Sequence, residues 1–306
     1  MGRQLIITGL KLTDLSAPKL VVTDPIESAG SLLLLDATHP TGAWPAGVGA
    51  SGSALRNVLW EKAKAVYGAG TEASLAASLS HAGMSGANGL LERSSKGGLH
   101  GLVSQSAGLV SAVNTPYARL SFGLELRKWL FNHPDNDLYI SVWGRITRGY
   151  KSGAIDGTYT NDAASALIEL NQGSGSQRFA LGQKGALMNT LGSMNNNNSE
   201  KVTGPQFMNA ASGGWSAAPA TEPAIQTYQV CLGNVGANNT YTSAPMTVKS
   251  RWPSWIVYRV YVEDLTVSGR TYQQVHDIDY AQYQKHVLTA GGRYYGDTFT
   301  DPAALP

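Results

Sequence analysis

The sequence has little charge and almost no cysteine. Charged residues make up 14% of its 306 residues, whereas an ordinary soluble domain has about 25%. Lysine and arginine number 23 against 21 acidic residues, and no run of basic residues forms a phosphate-binding stripe. We therefore expect no nucleic-acid partner. The single cysteine, Cys231, excludes a disulfide or a cysteine-based zinc site within one chain, and its strand-like surroundings predict a buried thiol.

Long apolar runs are also missing. No stretch approaches the roughly 18 apolar residues of a membrane span. The first nine residues, Met1 to Gly9, lack the apolar core of a secretory signal. We therefore expect no membrane insertion, and a protein that is made in the cytoplasm and stays soluble or assembles there.

Several enzyme motifs are absent. There is no Gly-Lys dipeptide for a P-loop, no G-x-S-x-G elbow, and no E-x-D-x-E strand of the kind found in sandwich glycosidases. The G-x-G-x-x-G match at Gly47–Gly52 follows Trp44-Pro45 instead of a strand, so it predicts a loop and not a dinucleotide site. A non-enzymatic role is favoured, and a polysaccharide-degrading enzyme is the weaker alternative.

What the sequence does contain is a strong β pattern. From Ile256 to Val262 apolar and mixed positions alternate, and the stretch from Asp137 to Arg148 reads the same way. These strands lie more than a hundred residues apart, which favours non-local antiparallel pairing. Hydrophobic residues reach 42%, which is too many for a disordered chain.

The remaining chain predicts an all-β fold, an antiparallel jelly-roll-type β-sandwich with short helical insertions and a C-terminal helix. Residues 1–87 would form an N-terminal arm with short strands and a helical insertion, 88–267 the sandwich core, and 268–306 the C-terminal helix and tail. One domain or two remains open. Further predictions are a strand at Ser31–Leu35, helices at Leu55–Tyr67 and Thr71–His81, a hairpin around Lys96–Gly98, a strand at Ala118–Leu126, and a helix capped by Thr271 and Gln274.

The two long strands carry a resemblance to a known class. Leu138–Arg148, together with Ile256–Leu265 leading into a helix and a Gly-Gly-Arg-Tyr tail, resembles structural proteins of tailed bacteriophages with a concanavalin A or laminin G-like sandwich. The likeness covers roughly residues 88 to 290. It implies a virion component of the tail, baseplate or fibre, or a capsid decoration protein, present as a homo-oligomer among other virion proteins. Laminin G-like domains often hold calcium at loop carboxylates, but no positions match here, so we expect no cofactor and leave calcium unassigned.

Aromatic residues offer one candidate site. Tryptophans and tyrosines on one concave face can stack on sugar rings, which would make the protein a carbohydrate-binding receptor-recognition protein for a host surface glycan. The alternative is that strand aromatics fill the core. The candidates for glycan stacking are Trp143, Trp215 and Trp255.

The two ends of the chain offer candidate contacts for subunit assembly. Apolar residues in a terminal arm or tail commonly dock on a neighbouring subunit, and docking on the same domain is the alternative. The candidate assembly contacts are Leu5, Ile6, Ile7, Tyr294, Tyr295 and Phe299.

Overall fold

The computed structural model describes residues 23–104, 116–149, 166–171, 177–182, 185–186, 190–191, 203–215, 220–222, 228–233 and 254–305. Within these ranges the chain forms two antiparallel β-sheets and a few short helices. The all-β prediction is therefore confirmed at the level of two packed antiparallel sheets.

The described strands number fourteen. They are β1 (Ser31–Asp36), β2 (Ser53–Leu55), β3 (Ala77–Ala82), β4 (Gly89–Arg93), β5 (Leu99–Val103), β6 (Tyr117–Ser121), β7 (Leu138–Arg148), β8 (Ala166–Asn171), β9 (Gln177–Gly182), β10 (Gly185–Ala186), β11 (Thr190–Leu191), β12 (Gly204–Ser212), β13 (Tyr228–Gly233) and β14 (Ser254–Asp264). The helices in the same ranges are α1 (Trp60–Tyr67), α2 (Leu124–Asn132), α3 (Leu265–Ser268) and α4 (Tyr272–Tyr283). A π-helical turn, Gln284–Leu288, continues α4, and a 3-10 turn lies at Pro302–Ala304.

The described strands divide evenly between the two sheets. The first sheet has the order β11-β12-β7-β14-β5-β4, with β1 also pairing with β14, and the second has the order β10-β9-β8-β13-β6-β3-β2. Strands β1 to β3 lie before residue 88, so both sheets include part of the segment that the sequence assigned to an arm and a helical insertion.

Strand β14 is the centre of the first sheet. It pairs antiparallel with β7, β5 and β1, and every one of its residues is buried. The alternation predicted one apolar and one mixed face. The structure covers both: Tyr294 of the tail stacks on Tyr258 of β14, and α4 packs over the neighbouring strands β7 and β12, where Tyr283 contacts Trp143 at 6.0 Å between ring centroids.

The two sheets approach each other closely near β5 and β13. A Cβ on Gly101 would lie 2.7 Å from the Cβ of Leu232, so only glycine fits there. Trp255 Nε1 donates a hydrogen bond of 2.8 Å to the carbonyl of Cys231 and thus ties the sheets together. Cys231 is 1% exposed, as the strand pattern predicted for its thiol.

Two local predictions were wrong. Residues 71–81 were expected to be helical, yet only a turn forms there, in which Thr71 Oγ1 accepts from the Ser74 amide, and β3 follows. The buried residues Ala77 and Leu79 alternate with half-buried ones and pair with β6, so strand periodicity prevails. The strand expected to reach residue 126 ends at Ser121, because Gly123 starts α2.

Other local predictions are confirmed. The strand from Ser31 is buried throughout, and the hairpin around Lys96–Gly98 joins β4 to β5. The helix expected from Leu55 exists but begins at Trp60. Thr271 and Gln274 form the reciprocal capping box at the start of α4.

Candidate functional site

The tryptophans expected to stack on sugars lie mostly in the core. Trp143 and Trp255 are 0% exposed, so their rings cannot meet a ligand and the stacking prediction is corrected for both. The reason is that the outer helix and the second sheet cover the two faces of their strands. Trp215 is partly buried and packs against the main core.

The residues expected to clamp a neighbouring subunit are distributed differently. Leu5, Ile6 and Ile7 lie outside the described residues. Tyr294 is 1% exposed, stacks on Tyr258 at 4.5 Å and therefore docks on its own chain, as the alternative reading held.

The other two tail aromatics differ from each other in exposure. Phe299 meets the edge of the His100 ring at 5.3 Å, while Tyr295 remains 46% exposed. Of the three tail aromatics, Tyr295 alone presents a largely exposed ring to solvent.

A buried ionic cluster links distant parts of the chain to β14. Arg259 donates to Asp24 through Nη1 and Nη2 at 2.7 and 2.9 Å, and to Asp36 at 3.1 Å. Its guanidinium also lies 4.5 Å from the Trp143 ring centre, a favourable cation–π distance. Although burial opposes ionisation, Arg259 holds the pKa of Asp24 far below its usual range. Both carboxylates are thus charged partners of one buried cation.

The C-terminal tail completes this cluster. Arg293 donates to both oxygens of Asp36, at 2.8 and 2.9 Å, and the Tyr294 hydroxyl donates to the same carboxylate at 2.6 Å. Burial again opposes ionisation, yet Arg259 and Arg293 lower the pKa of Asp36. One acidic side chain therefore binds strand and tail together.

Another buried carboxylate, Asp279, comes from α4. Asp279 accepts from Trp143 Nε1 at 2.9 Å and from the Tyr139 hydroxyl at 3.0 Å. Burial raises its pKa despite these donors and Arg259. Helical spacing places His276 and Asp279 on one face of α4, which favours a solvated pair, but the structure buries Asp279. The available signal was Arg259, a cation in the middle of an apolar strand that requires acidic partners.

Hydrogen bonds of His100 and Glu92 link the C-terminal tail to the β4–β5 hairpin. His100 Nδ1 lies 2.8 Å from Glu92 Oε1, and Nε2 lies 2.9 Å from Thr147 Oγ1. This is the order of groups used in hydrolytic triads. Here the imidazole is fully buried and both oxygens of Glu92 accept from Thr300, at 2.8 and 2.7 Å. These hydrogen bonds therefore connect the hairpin to the tail.

A cleft opens where the first sheet meets the start of α4. It has a volume of about 280 Å³ and is open on one side. Its walls come from the residue before β7, the end of β12, and the α3–α4 junction. The lining residues are Asp137, Ala211, Leu265, Thr266, Arg270, Thr271 and Tyr272.

A second ion pair orients Arg270, one of the residues that line the cleft. Arg270 Nε donates to Glu263 Oε1 at 2.8 Å, and Nη2 donates to the Ile26 carbonyl at 2.8 Å. Although its partial burial acts against the charge, Glu263 raises the pKa of Arg270. The guanidinium is thus charged and held in one orientation.

Neither a metal-binding cluster nor a membrane-spanning helix occurs among the described residues. In the portions of the chain that the structure describes, no three His, Cys, Asp or Glu side chains come together to hold a metal ion. Among the described residues, no helix has the length and apolar character needed to cross a bilayer. The comparisons with known proteins found no matching family, no matching curated protein and no matching solved structure.

Proposed function

We propose that this protein is a non-enzymatic structural component of a phage virion, in its tail, baseplate or fibre apparatus, that acts through subunit–subunit assembly. In this proposal the two sheets form a jelly-roll-type sandwich of the concanavalin A or laminin G-like class. Its partners are other copies of the chain and other virion proteins. A capsid decoration protein is the variant of the same role.

The observation that carries this proposal is the character of the surface. The chain as a whole has few charges, 14% of its residues, and among the residues whose burial the structure describes six acidic side chains are buried and add nothing to the surface charge. Large apolar side chains nevertheless remain exposed by 40–46%: Leu124, Val267, Leu288 and Tyr295. A surface with few charges and exposed apolar groups suits a protein that is covered by partners.

The internal ties support the same role. Asp36 joins the central strand to the tail through Arg259 and Arg293, and Glu92 holds the tail at Thr300. A building block whose segments are already ordered loses little conformational entropy when it assembles. The described part of the chain therefore resembles a preformed unit more than one that folds on its partner.

The test combines the virion and the purified chain. We expect mass spectrometry to detect many copies of the protein in purified virions of the source phage. We expect light scattering to show that the purified chain forms a defined oligomer. Replacing an exposed apolar side chain by an acid, Tyr295→Glu or Leu288→Glu, should weaken that oligomer with little change in melting temperature.

A matched control comes from α4. Ala281 is exposed, so Ala281→Glu adds the same charge without removing a large apolar group and should leave the oligomer intact. A chain that stays monomeric at all concentrations and is missing from virions would contradict the proposal.

A further inference from the structure

The cleft beside α3 has the size and chemistry of a small-ligand site. Its volume of about 280 Å³ is just below the roughly 300–1,000 Å³ typical of such sites, which suits one sugar ring and not an extended cofactor. It lies at the start of β7, where Asp137 precedes the strand and Ala211 pairs opposite Tyr139. This inference goes beyond assembly, because a subunit contact does not require a concave polar site.

The cleft contains a fixed hydrogen-bond acceptor. The Asp137 carbonyl accepts from the Leu265 amide at 2.8 Å, and the Asp137 amide donates to Thr266 Oγ1 at 3.0 Å. These bonds hold its backbone on α3. Among the described residues its carboxylate has no hydrogen bond or ion pair, so both oxygens are available to accept from a ligand.

The cleft also contains a fixed donor. Glu263 and Ile26 occupy Nε and Nη2 of Arg270. In the part of the chain that the structure describes, Nη1 has no protein partner. Because the guanidinium is planar, two bonds on its other nitrogens fix the direction of the Nη1 hydrogens.

Besides the polar Thr266 and Thr271, the remaining lining residues are apolar or aromatic. Leu265 and Ala211 are buried side chains at the cleft, and Tyr272 is half-buried, with its ring 5.9 Å from that of Tyr139. A sugar presents just this mixture, with hydroxyls at its rim and C–H groups on its faces that pack against aromatic and aliphatic side chains.

The charge of the cleft narrows the ligand class. Glu263 neutralises Arg270, which leaves Asp137 as a net negative charge. An acidic sugar or a phosphate would be repelled, and a divalent cation needs about six or more oxygen ligands, whereas one unpaired carboxylate lines the cleft. We propose that the cleft binds one neutral hexose unit, with Asp137 accepting from its hydroxyls and Arg270 donating to them; that this unit belongs to a host surface glycan rests on the proposed phage role.

The test is saturation-transfer NMR on the full chain with methyl glycosides of glucose, galactose, mannose and N-acetylglucosamine. At least one glycoside should receive saturation, and Asp137→Ala should weaken its affinity about tenfold or more, because a charged hydrogen-bond acceptor is lost. Asp135→Ala is the matched control: Asp135 is exposed and two residues away, so its loss should leave binding unchanged. Asp137→Asn keeps the backbone shape and serves if the alanine variant is unstable.

Competition separates two sources of the sugar. Isolated host surface polysaccharide should displace the bound glycoside; if it does not, the site takes free sugar and the glycan assignment fails. No transfer to any of the four glycosides, or equal transfer with Asp137→Ala and Asp137→Asn, overturns the site itself. Virion incorporation of the Asp137 variants should remain normal, so the site and the assembly role fail independently.

Discussion

At the scale of single residues, the unusual feature is that several charged side chains are buried inside the protein. Arg259 lies on β14, which is buried throughout, and pairs with Asp24 and Asp36, while Arg270 pairs with Glu263. Such pairs add little net stability compared with apolar residues, because both charges lose their hydration. Removing one partner is costly, since the other charge stays buried and uncompensated.

Replacing Arg259 by methionine should therefore lower the free energy of unfolding by about 3–5 kcal/mol. Denaturant titration followed by tryptophan fluorescence measures it. The control is Lys62→Met: Lys62 pairs with Glu27 at 3.0 Å but is 48% exposed, and its loss should cost about 0–1 kcal/mol. Equal effects of the two substitutions would show that the buried cluster is not a structural tie.

His286 predicts how stability depends on pH. Burial, together with Arg293 and Lys285, lowers its pKa to about 4, below its unfolded value of about 6.5. The unfolded chain therefore binds more protons between these values, so the free energy of unfolding falls as pH drops from about 6.5 to 4. His286→Gln should flatten this part of the profile, while His81→Gln controls for loss of a histidine. An unchanged profile in His286→Gln would contradict the prediction.

At the scale of elements, the tail is an integral part of the fold. Arg293 and Tyr294 bind Asp36, Asp297 accepts from Tyr258 at 2.8 Å, and Arg148 donates to the Leu305 carbonyl at 2.9 Å. The tail aromatics were predicted to contact a neighbouring subunit, with docking on the same domain as the alternative. These contacts favour the alternative, and they indicate that removal of the tail would destabilise the protomer.

Two neighbouring tyrosines test this directly. Tyr294→Ala removes a buried ring and its hydroxyl and should cost about 3–5 kcal/mol, whereas Tyr295→Ala removes an exposed ring and should stay within about 0.5 kcal/mol. Chemical denaturation of both variants gives the comparison. If Tyr294→Ala is as stable as the wild type, the tail does not support the fold.

At the scale of the whole molecule, the two sheets share one core. Trp255 of the first sheet bonds to the backbone of Cys231 in the second, and Gly101 allows the close approach beside them. Separating the sheets would expose Cys231. Its thiol is therefore an internal reporter of whether the sandwich opens as a unit.

We expect Cys231 to react slowly with a thiol reagent in native buffer, because only the opened state exposes it. Under increasing denaturant, its reactivity midpoint should coincide with that of tryptophan fluorescence, as cooperative unfolding requires. As the chain has one cysteine, no background variant is needed, and Cys231→Ala serves as the blank. Rapid labelling in native buffer, or an earlier midpoint, would show that the sheets separate independently.

The features that the sequence determined are local ones. Alternation predicted β7 and β14, glycine placed the β4–β5 turn, and Thr271 with Gln274 marked the start of α4, because each depends on a few neighbouring residues. The segment at 71–81 shows the limit: it was predicted as a helix, but pairing with β6 made part of it a strand.

Tertiary structure alone decided what those elements cover. Trp143 and Tyr294 were candidates for surface aromatics, but they are buried where α4 and the tail pack on the first sheet. The cleft forms because the fold brings together Asp137 and Arg270, which are 133 positions apart in the sequence. Arg259 found its partners 223 and 235 positions away. Burial is a property of contacts between distant segments, and no pattern of neighbouring residues specifies which segments will meet.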